Sequence, residues 1–235
     1  MDRAIHKDKK ISSQANYSIY YTGEELNQYD SQVLWAILHI QKTSGVEIGK
    51  DVSCYQLEII KLIGMTASGA AYETIYQSLK RLTSCMITIE FEAKKRSTKY
   101  HGHIIESLKK DENGHYVFRL GHDMAKLFES DCSIVMLRKK IVLSHQLSKW
   151  LFDYSSSHSK FIDMPINNLI SISGYPNSKS EFIRNLKLSC QEIISKLNKD
   201  APFVDYKVSS TCLNLYKFVQ KEQSVLSLEE ELDSI

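Results

Sequence analysis

The sequence predicts an α+β protein built from two tandem copies of one small domain, in which three helices precede a β-hairpin. Apolar residues recur at helical spacing in the segments 30–43, 53–64 and 70–84, and they alternate with polar residues over much of 86–120. The same order of patterns returns over 143–219. A chain of 235 residues also suits two domains of roughly 100 residues each.

The first two helices follow a polar N-terminal leader. In DSQVLWAILHIQKT, Val33, Ile37 and Ile40 form one apolar stripe, and Asp30 is a candidate N-cap. The second helix, in SCYQLEIIKLIG, is expected to end at Gly64, because glycine readily adopts the left-handed conformation that terminates helices.

The third helix comes directly after the polar turn MTASG and buries Ala71, Ile75, Leu79 and Leu82. Helix, tight turn and helix form a helix-turn-helix, whose second helix can enter the major groove of DNA. We therefore expect its opposite side to contact bases and phosphates. That side carries Ser68, Glu73, Thr74, Gln77, Lys80 and Arg81.

The next segment changes to the period of a β-strand. MITIEFE (86–92) is expected to pair with YHGHIIESL (100–108), and the Asn-Gly pair at 113–114 favours a tight hairpin into a third strand, HYVFRL. Three helices followed by a hairpin with a basic tip is the plan of a winged helix. We expect the basic tip to contact phosphates of DNA through Lys94, Lys95, Arg96 and Lys99.

The second copy begins with the helical pattern of 143–158. Pro165 opens a short helix, and the turn-rich GYPNSKS offers Ser178 or Ser180 as the cap of a long third helix. A hairpin over 203–219 completes the domain.

The third helix of this copy presents a polar face away from Phe182 and Leu186. Arg184 is the candidate for bidentate contact with guanine, while Lys179 and Lys187 are candidates for phosphates. The predicted DNA-binding residues are Ser178, Lys179, Ser180, Arg184, Lys187 and Gln191.

The predicted domains are an N-terminal winged helix (1–130), a C-terminal winged helix (131–221) and an acidic tail (222–235). The net charge of the chain is +2, but five of the 28 acids lie in the tail, so residues 1–221 hold 30 bases against 23 acids. A modestly basic body with an acidic tail is compatible with nucleic-acid binding.

Three segments resemble plasmid replication initiators of the TrfA type. YTGEELNQYDSQVLWAILHI is similar to the first helix of that family, YETIYQSLKRL to its first recognition-helix region, and LSKWLFDYSSSH to the start of its second half. The resemblance covers roughly residues 20–220 in order. The long N-terminal extension of some members is not matched.

The resemblance implies a tandem winged-helix protein that binds repeated sites, called iterons, in double-stranded DNA at a plasmid origin. It further implies origin opening, recruitment of host replication proteins (initiator and helicase), and a monomer–dimer equilibrium with the dimer surface in the first half. In the tail, Gln223, Leu226 and Leu228 partly fit the motif with which bacterial proteins bind the replicative sliding clamp.

Composition restricts the other classes of protein. No run of eighteen apolar residues occurs, so we expect neither a membrane span nor a signal peptide, and a cytoplasmic bacterial location. The five cysteines are too far apart for a CxxC pair, so we expect buried, reduced thiols and no metal or other cofactor.

Enzymatic alternatives rest on weak motifs. His101 and His103 are spaced like two metal ligands of a rolling-circle initiator, but Gly102 lies between them and no tyrosine stands in a nucleophile motif. GVEIGKD lacks the spacing of a phosphate-binding loop. We expect no covalent chemistry. A transcriptional repressor remains the nearer alternative, because the same tandem modules could bind an operator.

Overall fold

The chain folds into two compact units, residues 1–142 and 143–235. The structure is a computed structural model, and it describes residues 3–14, 17–93, 96–123, 134–158 and 162–216.

Unit 1 contains four helices and seven strands in its described residues. They are β1 (Ile5–Gln14), β2 (Tyr17–Glu24), α1 (Gln28–Thr43), β3 (Val52–Tyr55), α2 (Gln56–Leu62), α3 (Gly69–Ser84), β4 (Met86–Ala93), β5 (Arg96–His103), β6 (Ile105–Lys110), β7 (His115–Leu120) and α4 (Ile134–Ile141).

The winged helix of unit 1 consists of α1, β3, α2, α3, β6 and β7. Its antiparallel sheet has the strand order β3-β7-β6, so the short strand before the helix-turn-helix pairs with the second strand of the wing. The turn of the wing is stabilised by Asp111, whose carboxylate accepts the N–H groups of Asn113 and His115, each at 2.9 Å. Gly114 has φ = +74°, as the Asn-Gly pair predicts.

A second sheet in unit 1 lies outside the winged-helix plan. Its strand order is β1-β2-β4-β5, with all neighbours antiparallel. The segment expected to be a polar leader is therefore largely the hairpin of β1 and β2. The prediction missed it because IHKDKKISSQ is mostly charged and polar and has no clear alternation.

The predicted strand 100–108 is in fact two strands in two sheets. Residues up to His103 pair with β4 as predicted, whereas the chain from Ile105 onward pairs with β7. Ile104 and Ile105 are adjacent in sequence and both buried, at 5% and 0% exposure. Two consecutive buried side chains cannot belong to one face of one flat strand, so the chain turns from one sheet to the other here.

The cap of α1 is Asn27 and not Asp30. The Asn27 side chain accepts the N–H of Tyr29 at 2.9 Å, and Asp30 completes a capping box by accepting the N–H of Asn27 at 2.8 Å. The cap consequently lies three residues earlier than predicted, and the helix begins at Gln28.

Unit 2 repeats the winged-helix order. Its elements are α5 (Gln146–Ser156), β8 (Ile162–Pro165), α6 (Ile166–Ser173), α7 (Lys179–Leu197), a 3-10 turn (Asn198–Asp200), β9 (Asp205–Val208) and β10 (Cys212–Tyr216). The sheet of unit 2 has the strand order β8-β10-β9, which corresponds to the order β3-β7-β6 in unit 1. In both sheets the second strand of the wing lies in the centre, between the short strand before the helix-turn-helix and the first strand of the wing. The two units share one topology, which confirms the predicted fold class.

Two predicted turns around α6 and α7 have the expected geometry. Gly174 ends α6 with φ = +63°, and the Ser178 side chain caps α7 by accepting the N–H of Glu181 at 3.4 Å. The buried side of α7 contains Phe182, Leu186 and Ile193, each with 0% exposure.

The division between the units falls after Val142, whereas the sequence predicted it after residue 130. α4 was not predicted and belongs to unit 1, where it packs against α1. The acidic tail, 222–235, lies outside the described residues. In the described part of the chain, no helix combines the length and the apolar character that a bilayer crossing requires.

Candidate nucleic-acid interface

α3 is the second helix of the first helix-turn-helix and turns one polar side outward. Ser68 caps the helix by accepting the N–H of Ala71 at 3.1 Å, and the amide of Gln77 donates to Glu73 at 2.7 Å. Thr74 donates to the Ala70 carbonyl at 2.8 Å. Of the six residues predicted on this face, five are exposed or half-exposed: Ser68, Glu73, Thr74, Gln77 and Lys80.

Arg81 is the exception, and its prediction as a DNA contact is corrected. The side chain is only 9% exposed, and its guanidinium donates to the buried carboxylate of Asp30 at 2.8 and 3.1 Å. Ser78 donates to the same carboxylate at 2.7 Å. A guanidinium used in this way is not available to a phosphate or a base.

The carboxylate of Asp30 is fully saturated by its neighbours. Arg3 and the N–H of Asn27 reach its second oxygen at 2.6 and 2.8 Å. Burial alone would raise the pKa of Asp30, but the hydrogen bonds from Arg81, Ser78 and Arg3 outweigh it and hold the pKa below its ordinary value. The network fixes α3 against the first turn of α1.

The ammonium groups of two lysines, one on α3 and one on the wing strand β6, both lie over the aromatic ring of Tyr76. Lys80 of α3 lies 5.6 Å from the ring centroid of Tyr76, and Lys110 of β6 lies 4.8 Å from it. Among the described residues neither lysine forms an ion pair. We call Tyr76, Lys80 and Lys110 the lysine clip.

Sequence reasoning missed two members of the lysine clip, Tyr76 and Lys110. The i to i+4 spacing of Tyr76 and Lys80 on a helix is visible in the sequence, but this spacing alone does not distinguish a cation–π pair from core packing of the tyrosine. The sequence does not single out Lys110, because its basic loop at residues 94–99 predicts the wing tip at another place in the chain. The position of Lys110 next to the 111–114 turn would have identified it once that hairpin was recognised as the wing.

α7 presents the corresponding polar side in unit 2. Ser180, Arg184, Lys187 and Gln191 are all exposed on it, and these positions lie within about 60° of Arg184 at the rotation of 100° per residue of an α-helix. Arg184 lines a small surface depression with Ser180 and Glu181. In the part of the chain that the structure describes, no acid pairs with Arg184 or Lys187.

The first turn of α7 agrees less well with the prediction. Lys179 is exposed but is rotated by about 140° from Arg184, so it does not share the face of Arg184. The hydroxyls of Ser178 and Ser180 lie 3.1 Å apart at the start of the helix.

The basic hairpin tip does not belong to the wing. β4 and β5 form part of the four-stranded sheet, while the wing of unit 1 turns at 111–114. Lys94 and Lys95 lie outside the described residues, as does the side chain of Arg96. Lys99 forms an exposed ion pair with Glu90 at 2.8 Å. The assignment of this tip as a wing is therefore corrected.

The carboxylate of Glu192 fixes α7 against the segment that precedes α5. Glu192 accepts the N–H of Ser144 at 2.7 Å, just before α5, and lies 2.8 Å from the ammonium of Lys196. Burial acts to raise the pKa of Glu192, but these partners lower it to about 2. The charged form of Glu192 thus joins α7 to the N-terminal end of α5.

Comparison with solved structures finds the same fold elsewhere. The chain is similar to a crystal structure of a selenomethionine derivative of domains 2 and 3 of RctB, with a TM-score of 0.61, 13% sequence identity and 93% of each chain covered. A second crystal structure of RctB domains 2 and 3 gives a TM-score of 0.58, 12% identity and 90% of each chain. This chain therefore shares the two-domain fold of RctB domains 2 and 3.

A third solved structure covers less of the chain. The WH1 domain of MSBI1.176, a replication protein isolated from a multiple sclerosis patient, matches 45% of this chain and 84% of its own length, with 11% identity and a TM-score of 0.34. No family model and no curated protein matches this sequence.

The histidine pair on β5 is used in hydrogen bonds. His101 Nδ1 lies 2.7 Å from the hydroxyl of Thr88, and His103 Nδ1 lies 2.8 Å from the carbonyl of Cys85. Within the described ranges, no three His, Cys, Asp or Glu side chains are grouped as metal ligands.

Proposed function

We propose that this chain is a plasmid replication initiator that binds iterons in double-stranded DNA at an origin through its two winged helices. The observation that carries the proposal is the repeated topology of the two units, each with an exposed polar recognition helix, α3 or α7. A tandem winged helix is also the fold implied by the resemblance to TrfA-type initiators. The protein would act by binding and not by covalent chemistry.

The distribution of charge supports duplex DNA as the ligand. An α-helix fits the width of the major groove, and the outward sides of α3 and α7 carry hydrogen-bonding groups beside cations. These cations form no ion pair with an acid among the residues that the structure describes. Such cations gain more from phosphate oxygens than from solvent, because phosphate contact releases counterions from the DNA.

The two kinds of contact divide the work of recognition. Arg184 is suited to a bidentate contact with guanine, which discriminates one base pair, whereas the lysine clip and Lys187 are suited to phosphates, which fix register on the duplex. Repeated iterons would then align several molecules beside the segment to be opened.

The proposed function also includes host proteins and a second copy of the chain as partners. The resemblance supports recruitment of the host initiator and helicase and a monomer–dimer equilibrium with its surface in the first half. The tail residues Gln223, Leu226 and Leu228 support an added contact with the sliding clamp.

A plasmid-maintenance experiment tests the function. The DNA flanking the gene, with any direct repeats of about 20 base pairs in helical phase, is placed on a plasmid lacking its own origin, and the protein is supplied in trans. We expect the wild-type chain to sustain the plasmid and Arg184→Ala to lose it, because one base-specific contact is worth about 1–3 kcal/mol.

Lys199→Ala is the matched control. It also removes one exposed positive charge, but Lys199 lies just after the C-terminal end of α7. It should maintain the plasmid like the wild type. If the wild-type protein represses its own promoter but never sustains the plasmid in any permissive host, the initiator proposal is wrong and the repressor takes its place.

A further inference from the structure

The outward side of α7 carries one large apolar side chain among its polar ones. Leu188 is 50% exposed there, with Arg184 one turn before it and Gln191 one turn after it. α3 has no large exposed apolar side chain along its length. The two recognition helices therefore differ in chemistry at their centre.

Leu188 lies on the outward side of α7, next to Arg184. At about 100° per residue it is rotated by about 40° from Arg184, and Gln191 lies on the other side of Arg184 by about 20°. Leucine side chains on helices point back toward the N-terminus, so the methyl groups of Leu188 cover the turn that carries Arg184.

The methyl group of thymine is an apolar partner that the major groove offers to a side chain such as Leu188. The C5 methyl of thymine projects into the groove, where it distinguishes A·T pairs by apolar contact. Four residues of helix span about 6 Å, which is close to two base-pair steps when a helix follows the groove.

We propose that Leu188 contacts the C5 methyl of a thymine within about two base pairs of the pair contacted by Arg184. This inference rests on the proposed function, because it requires α7 to enter the major groove. It adds a specific base to that function: the bound site contains a thymine whose methyl group contributes to affinity.

The test uses the full chain and chemically modified DNA. Duplexes bound by the wild-type protein are first selected from a randomised pool. Each thymine of the selected site is then replaced singly by deoxyuridine, which removes the methyl group and leaves base pairing intact. We expect one thymine at which the wild type loses affinity about three- to tenfold.

Three variants test whether the loss of affinity depends on Leu188. Leu188→Ala should bind thymine and deoxyuridine duplexes equally at that position, and Leu188→Met should restore a preference for thymine. Ile172→Ala removes a similarly exposed apolar side chain, 45% exposed on α6, and should retain the wild-type discrimination. Since alanine favours helix at an exposed position, Leu188→Ala is expected to fold, which circular dichroism checks.

Failure of the proposed function and failure of the thymine contact give different results. If no duplex is enriched, the proposed function fails and the inference with it. If a site is enriched but no thymine shows a methyl effect, or Leu188→Ala shows the same effect as the wild type, the inference alone is overturned. A Leu188→Ala variant that loses capture of a host protein while still discriminating deoxyuridine would assign Leu188 to a protein contact and would also overturn it.

Discussion

Asp30 is the residue on which the placement of α3 depends. Its carboxylate is fully buried, and Arg81 and Ser78 from α3 and Arg3 from the N-terminal segment all donate to it. A buried ion pair contributes little net stability when complete, but removal of one partner leaves the other charge unpaired in a medium that solvates it poorly.

We predict that Asp30→Asn destabilises unit 1 by about 3–5 kcal/mol. The two tryptophans allow unit 1 to be followed alone, because Trp35 lies in unit 1 and Trp150 in unit 2. Urea unfolding of a Trp150→Phe background, monitored by fluorescence, therefore reports Trp35. Asp51→Asn is the control: it breaks the exposed pair with Arg119 and should cost less than about 1 kcal/mol.

The pH dependence of this loss follows from the lowered pKa of Asp30. The pKa is lower in the folded than in the unfolded state, so the unfolded chain binds the proton first as pH falls. The stabilisation is fully present above the unfolded pKa of about 4 and is lost as pH falls through the folded value. The difference in the free energy of unfolding between wild type and Asp30→Asn should therefore shrink below about pH 4. A difference in unfolding free energy that stays constant down to about pH 2 would contradict this account.

The error at Arg81 shows the limit of helical periodicity. Spacing correctly separated Ala71, Ile75 and Leu79 from the polar side of α3, but it placed Arg81 on that side as well. Its partner, Asp30, lies 51 residues earlier in the chain. A contact at that distance depends on tertiary packing, which one sequence does not specify.

At the scale of elements, the wing is the part that the sequence predicted least well. The basic loop and the Asn-Gly turn both indicated hairpins, and both hairpins exist. Local pattern does not decide which of two hairpins joins β3. The pairing of β3 with β7 and of β2 with β4 is non-local, so it depends on tertiary packing and not on the local pattern.

The lysine clip gives a test at this scale. We predict that Lys110→Met weakens binding to specific and random duplexes by the same factor and makes the slope of log K against log salt about 1 unit less negative. The reason is that, under the proposed function, Lys110 of β6 would contact a phosphate and no base.

Lys99→Met is the matched control, because Lys99 pairs with Glu90 in the other sheet of unit 1. Its salt slope should equal that of the wild type in a filter-binding or fluorescence-anisotropy titration. If the salt slope instead changes for Lys99→Met and stays unchanged for Lys110→Met, the phosphate contact belongs to the basic hairpin of β4 and β5.

At the scale of the whole molecule, the duplication was predictable and the additions to it were not. Turn residues such as Gly64, Gly174 and Ser178 divide each half into the same order of elements, so they predict one topology twice. The four-stranded sheet of unit 1 has no counterpart among the described residues of unit 2. The alternation of β4 and its pairing with β5 were predicted, but β1 is largely charged or polar, which hides its pairing with β2 from a search for alternation.

Two recognition helices on one chain predict that both units contribute phosphate contacts to one complex. About six contacts in total would give a log–log salt slope near −5. Lys110→Met in unit 1 and Lys187→Met in unit 2 should each reduce its magnitude by about 1, and the double variant should give a slope near −3, because contacts in separate units are independent. Titrations over a range of salt concentrations measure all four slopes. A double variant with the same slope as Lys110→Met alone would mean that the face of α7 makes no phosphate contact through Lys187, and binding would then rest on unit 1.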